Sequence, residues 1–463
     1  MMTRKTLLTL FSLTLMFACF SALSVDVKAQ TKKQLKAAKD LTDDGNAAFN
    51  KRNYRMAIEK YAQAIAIVPN SPDAHFWKGN AHYNLKEYDQ ALSELDTALA
   101  QGFKADQVKT VRWYINYEKK NYDAALSDLE ALIPLDPANV TLLIGRGDAY
   151  AGKKSYNEAL AAYQKALAAA PANADVQYKI ATSHQLLGNF KEQGIAAQAA
   201  IKGNTIFLGE AYFLLGESFQ KQRNLTEAGD AYLKSIAAKP NNYASYRNLA
   251  DVYRGQGRFK DAIEVLKSSF PQFPPNGETF TELSWYYSLV NRDEDAVEAA
   301  KGGVRLTPGN FASHTNLCRA YNGTKQFDLA IVSCTRALRL KPNDGETYFY
   351  LGRAQDSLGK TADAAKSYKK AVAGLTEYTK QNPEYTDGFY LLGNALLADN
   401  QLDKAVAANK RAVDLSPGFA KARYNLAIIY LAQKKKALAQ EQYDELVKID
   451  PDQAAKLRAE MDK

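Results

Sequence analysis

Small, aromatic and polar positions recur along this chain at a fixed spacing of 34 residues. Gly45, Tyr54, Ala57, Tyr61, Ala64 and Pro69 return three periods later as Gly147, Tyr156, Ala159, Tyr163, Ala166 and Pro171, with identical offsets. The frame gives units starting near 38, 72, 106, 140, 174, 209, 243, 277, 311, 345, 386 and 420. The span 38–453 is twelve such units plus eight extra residues, one near Gly203-Asn204 and seven after Val372. The twentieth residue of a unit is alanine in eleven of the twelve, Gln193 being the exception. The eighth is small from Gly45 to Ala427, with Trp113 the exception. Two antiparallel helices joined by a short turn approach to about 8–10 Å, and the near end of that range requires small side chains at the crossing. Each unit is therefore predicted to be a helical hairpin. Its turn is marked by stretches such as Lys51-Arg52-Asn53, Gly188-Asn189 and Gly257-Arg258, with an aromatic plug commonly following (Tyr54, Phe259). Its second helix ends at a proline in the thirty-second place, such as Pro69, Pro308 or Pro451. Valine-isoleucine runs at strand spacing are scarce, and the composition leans helical.

This small-aromatic-alanine-aromatic-proline pattern resembles the tetratricopeptide repeat family, over residues 38–453. The related Sel1-like repeats have a period of roughly 36 or more, which the spacing does not match. The resemblance implies an all-α, right-handed solenoid of about twelve hairpins, first helices lining a concave groove, with stability shared between neighbours. Residues 30–37 read as a linker, and 454–463 as a polar capping helix that closes the open end.

Three places break the frame. Trp113 at the crossing, with Phe103 where a proline is expected, alters the meeting of the second and third units. Gln193 and Ala197 in place of alanine and a bulky plug predict that the fifth hairpin is the loosest. The insertion around Ala373–Asn382 is expected to lengthen one helix by nearly two turns.

The first thirty residues follow a different rule. Arg4 and Lys5 precede an apolar run from Leu7 to Phe20, and Val27-Lys28-Ala29 offers a small-x-small cleavage site. Residues 1–29 thus read as a secretory signal peptide, with lipoprotein attachment through Cys19 a poorer fit to bulky Met16 and Phe17. Its removal takes away Arg4, Lys5 and Lys28 together with Asp26, so the formal charge falls from +9 to +7. That is too dilute for a nucleic-acid surface, and no later segment has the ~20 apolar residues needed to span a bilayer. The expectation is an exported protein, periplasmic or secreted.

By resemblance the groove takes protein or peptide partners, and the second, fifth, ninth and twelfth places of each unit face it. In the N-terminal part these include Asn46, Phe49, Phe76, Asn80, Tyr83, Tyr114, Tyr117 and Tyr178. Further on, Arg247, Arg254, Arg319 and Arg353 align with Asp251 and Asp356, a candidate surface for acidic segments. The carboxylate clamp of some family members needs cations where this chain has Thr42, Gln107 and Val111, so that clamp is not expected. The asparagine ladder of the protein O-glycosyltransferases is missing as well.

No catalytic motif is present, and no cofactor is expected. His75, His82, His184 and His314 occupy places that usually take core aromatics. Cys318 and Cys334 stand on opposite helices of the ninth unit, where they are either a disulfide or small core fillers. The function expected is a non-enzymatic interaction scaffold. The alternatives are a chaperone-like or substrate-binding module for extended peptides, or an accessory component of an envelope export complex.

Overall fold

The computed structural model describes residues 31–462; the expected signal peptide lies outside them. The described residues contain 25 α-helices, one three-residue 3-10 turn (Ile133–Leu135) and no strand. The first 24 helices form twelve antiparallel pairs, and Pro451–Met461 follows as a terminal helix. The described residues divide into two compact segments, one ending at Ala170 and the other beginning at Pro171. Each is an α-solenoid: four pairs in the first, eight pairs and the terminal helix in the second.

First helices begin at Lys32, Pro72, Ala105, Val140, Ala174, Leu208, Tyr243, Gly277, Phe311, Gly345, Thr386 and Ala420. The N-terminus departs from the reading above. Residues 32–37 are helix and not linker, because Thr31 caps the Gln34 N–H while the Gln34 side chain accepts from the Thr31 N–H. The terminal helix likewise begins at Pro451, three residues earlier than expected. Asp450 accepts from the Gln453 N–H, and proline at the first helical position needs no donor.

Inside a pair, a tyrosine of the second helix lies across the small residue of the first. A Cβ on Gly216 would stand 2.8 Å from the Tyr232 ring, and one on Gly352 would stand 2.7 Å from Tyr368. The crossing alanines Ala57, Ala91, Ala125 and Ala159 are fully buried. Where Trp113 replaces the small residue, Gly145 of the next pair makes room: a Cβ there would meet the indole at 2.8 Å. Phe103 stacks on Phe76 at 4.2 Å. The fifth pair carries no looseness at Gln193. That side chain is fully buried and donates to the Leu214 carbonyl at 2.8 Å and to Glu217 at 2.9 Å, so hydrogen bonds stand in for the missing apolar contact.

All twelve turns place their fifteenth residue in the left-handed region. Glycine fills it at Gly188, Gly257 and Gly359, whereas Arg52, Lys86, Lys120 and six others adopt it with a side chain.

The seventh pair is irregular. Its second helix, Phe259–Ser268, has 10 residues where most have 13 or 14, because Pro271, Pro274 and Pro275 prevent continuation. Phe273 of the resulting loop packs on Tyr243 and Tyr246. The tenth pair is irregular in the opposite sense: its second helix, Thr361–Gln381, runs for 21 residues.

Within the C-terminal segment the eleventh and twelfth pairs return to touch the sixth, seventh and eighth. Phe259 meets the Phe419 ring edge-to-face at 5.3 Å. Arg254 donates to Asp387 at 2.7 Å across 133 residues of sequence. Lys421 Nζ donates to the Ser288 carbonyl at 2.8 Å, and Arg223 pairs with Glu384. The backbones of Gly257 and Gly418 lie so close that neither has room for a Cβ.

Candidate functional site

The C-terminal segment holds a cavity of ≈ 1120 Å³, bounded by the seventh to eleventh pairs and lined largely by their first helices. The extra turns of Thr361–Gln381 supply one wall through Gly374, Leu375 and Tyr378. That helix seats against the start of the preceding one by a glycine contact. A Cβ on Gly374 would fall 2.9 Å from Gly345 Cα.

Of the four arginines singled out in the sequence, Arg247, Arg254 and Arg319 line this cavity. Arg353 is exposed and does not line it. Arg247 pairs with Glu278 at 2.5 Å, and Glu282 lies 3.8 Å away. Arg254 is held between Asp251 on its own helix and Asp387, with the Tyr385 ring 5.2 Å from its guanidinium. Burial pushes the Asp387 carboxyl upward and Arg254 opposes that push, while its two carboxylates keep Arg254 firmly charged. Arg319 pairs with Glu346 and lies between the rings of Trp285 and Tyr350, at 5.4 and 5.0 Å. Its Nε and Nη1 are buried without a hydrogen-bond partner. Lys341 pairs with Asp344 at 3.0 Å, and Lys370 lies over the Tyr348 ring at 4.9 Å.

The consequence for recognition is direct. Five cations and five carboxylates line the cavity, and four of the cations are already bonded to carboxylates. The expected binder of acidic segments is therefore not what the geometry offers, because no row of free guanidinium groups faces the space.

The aromatic-asparagine residues are distributed differently. Asn46, Phe49, Phe76, Asn80, Tyr83, Tyr114 and Tyr117 belong to the N-terminal segment and Tyr178 to the C-terminal one. Most are engaged in packing. Asn46 accepts the Tyr61 hydroxyl at 2.7 Å, as Asp148 accepts that of Tyr163 at 2.6 Å. Asn80 donates to the carbonyl of Phe76 in its own helix. Phe49 meets Trp77 edge-on at 5.5 Å, Tyr114 stacks on Trp113, and Tyr178 stacks on Phe207 at 4.5 Å. Tyr83 and Tyr117 remain half-buried beside Tyr88 and Tyr122. Burial raises the phenol pKa of Tyr83, Tyr114, Tyr117 and Tyr178.

The histidines serve local contacts. His75 bonds Glu94 at 2.5 Å, His82 bonds Glu87 at 2.7 Å, and His314 bonds the Pro308 carbonyl at 3.0 Å. His184 stands 3.5 Å from the Asn189 amide, and burial lowers its pKa. Among the described residues no cluster of three His, Cys, Asp or Glu side chains could hold a metal ion. Cys318 and Cys334, both fully buried, are bonded to one another, with Cα atoms 5.2 Å apart.

Residue-by-residue reading of the sequence missed Trp285, Tyr348, Tyr378, Tyr385 and Asp387. The insertion after Val372 was the available signal for Tyr378. Asp387 becomes important only through contact with Arg254 four pairs earlier, which no local pattern announces.

Known proteins share the repeat. One family model, described as a TPR repeat, matches residues 45–86. A second, described as a tetratricopeptide repeat, matches 117–174, 213–276, 323–379, 351–418 and 390–454. Over 82 residues the chain is 33% identical to a UDP-N-acetylglucosamine–peptide N-acetylglucosaminyltransferase of Giardia intestinalis, a match covering 18% of this chain and 6% of that protein. Among solved structures it is similar to a crystal structure of MamA protein (24% identity, 38% of this chain and 95% of that chain, TM-score 0.34). It is similar also to yeast Tom70 (14% identity, 92% and 94%, TM-score 0.34). The Cut9-Hcn1 hetero-tetramer of the APC/C gives 14% identity, 92% and 96% coverage, and a TM-score of 0.33.

Proposed function

Because the chain belongs to the tetratricopeptide repeat family, we propose that it is an exported, non-enzymatic scaffold whose partner proteins seat in the cavity of the C-terminal segment. The observation that carries this reading is the cavity itself. Its ≈ 1120 Å³ are lined largely by first helices of successive repeats, the helices with which solenoids of this kind present their extended binding surfaces. The histidines support a non-catalytic role, since each bonds a neighbour close in sequence or in its own pair and none lines the cavity.

Export to the periplasm or cell surface is supported by two features. One is the charged-apolar-small pattern of residues 1–29. The other is the buried Cys318–Cys334 bond, a kind of linkage that persists in oxidising compartments.

Crosslinking mass spectrometry on the native cell envelope tests the reading. Lys341 and Lys370 at the cavity should crosslink to a small set of stoichiometric partners. Crosslinks confined to other faces, or spread over many unfolded clients, would replace it with a different site or with a chaperone-like role.

A further inference from the structure

Four of the five cations in the cavity are bonded to carboxylates, and Lys370 lies over the Tyr348 ring, so the neutral groups left over weigh heavily in what it can recognise. The hydroxyls of Tyr286, Tyr378 and Tyr385 make no hydrogen bond to another described residue. The Trp285 indole N–H and the Asn343 amide are likewise uncommitted. All five groups are neutral. The surroundings also disfavour added charge: burial holds the Glu282 carboxyl above its ordinary range although Arg247 is nearby. A carboxylate or ammonium brought into this space would lose hydration and find most of its natural counter-ions already bonded. A neutral polar group would instead meet free donors and acceptors beside aromatic faces. The volume exceeds the range of roughly 300–1,000 Å³ typical of small-molecule pockets, which favours a chain over a metabolite.

We propose that this cavity takes an uncharged polar stretch of a partner polypeptide, bound through its backbone amides and neutral side chains by the tyrosine hydroxyls, the Trp285 indole and the Asn343 amide. The proposal rests on the scaffold reading above and specifies the partner's chemistry. It reverses what the run of arginines in the sequence suggests.

A random peptide library displayed on phage, selected on the intact mature protein, tests it. The selected peptides should carry uncharged residues through their shared core. Their affinity should change by less than about two-fold between about 0.05 and 0.5 M salt, because no net charge is being screened. Tyr378→Phe and Asn343→Ala, both at accessible positions, should each weaken the selected peptides about five-fold or more, the cost of leaving a desolvated partner unpaired. A consensus of acidic residues, or a ten-fold loss at high salt, would overturn the proposal. So would the absence of any clone that distinguishes the native protein from these variants. Failure here while native partners still crosslink at Lys341 and Lys370 removes only the uncharged-segment inference. Failure of both removes the scaffold reading of this site.

Discussion

Gly257 and Gly418 meet backbone to backbone, the turn of the seventh pair against the turn that precedes the twelfth. Gly257 needs its positive φ of 76° as well as the space, whereas Gly418 needs only the space. Gly418→Ala therefore isolates the steric demand. The added methyl should force the two turns apart and destabilise the C-terminal segment by about 1–3 kcal/mol, the usual cost of overpacking. Small-angle scattering should show an enlarged radius of gyration. An unchanged profile with unchanged thermal stability would mean that the two turns do not hold each other.

The bond from Arg254 to Asp387 makes a second test of the same contact. Asp387→Asn keeps the shape but leaves a buried guanidinium with Asp251 alone, at an expected loss of roughly 3–5 kcal/mol. Replacing both residues by leucine should recover most of that loss, since a buried ion pair is often no better than apolar packing. Denaturant melts of the single and double variants give the comparison, and additive losses would contradict it.

Lys421 sets a pH dependence. Burial lowers its pKa to about 8, with Asp293 opposing the shift and Arg319, Arg353 and Lys456 adding to it. Its folded value lies below the 10.5 of an exposed lysine, so the folded state binds fewer protons between these limits. Stability should accordingly rise with pH from about 8 toward 10.5, by roughly 1–3 kcal/mol at most. Lys421→Met should abolish the rise, which urea melts at pH values from about 7 to about 9.5 would show.

The turns offer a gain instead of a loss. Lys120 sits at φ 62° with a side chain and forms no ion pair with another described residue. Lys120→Gly should relieve left-handed strain of about 1–2 kcal/mol while making the unfolded chain freer by about half that, for a net gain of roughly 0.5–1 kcal/mol. Gly188→Ala at φ 74° should do the reverse. Differential scanning calorimetry of both variants reads the sign.

The repeat was legible because its cause is local. An alanine at the crossing and a proline after the second helix act within one hairpin, so their spacing reports the fold directly. The left-handed turns were not legible, since lysine or arginine fills most of them and neither residue advertises that conformation. The site was half legible. Arg247, Arg254 and Arg319 fall at the cavity as their places in the repeat suggest, but their meaning depends on Glu278, Asp387 and Glu346, which lie on other helices. The N-terminal asparagines show the same limit, because Asn46 faces the Tyr61 hydroxyl of its own pair. Their spacing could not say whether that bond or a partner uses them.

The bond between Arg254 and Asp387 also constrains how the gene can change. Tandem repeats readily gain or lose a copy by recombination, and a solenoid whose members touch only their neighbours tolerates it. Between the seventh and eleventh pairs a deleted or duplicated copy would carry Asp387 and Gly418 out of reach of Arg254 and Gly257. That stretch has its copy number fixed by geometry. The N-terminal segment, where no comparable return contact occurs among the described residues, is where natural variants differing by a whole repeat should be found.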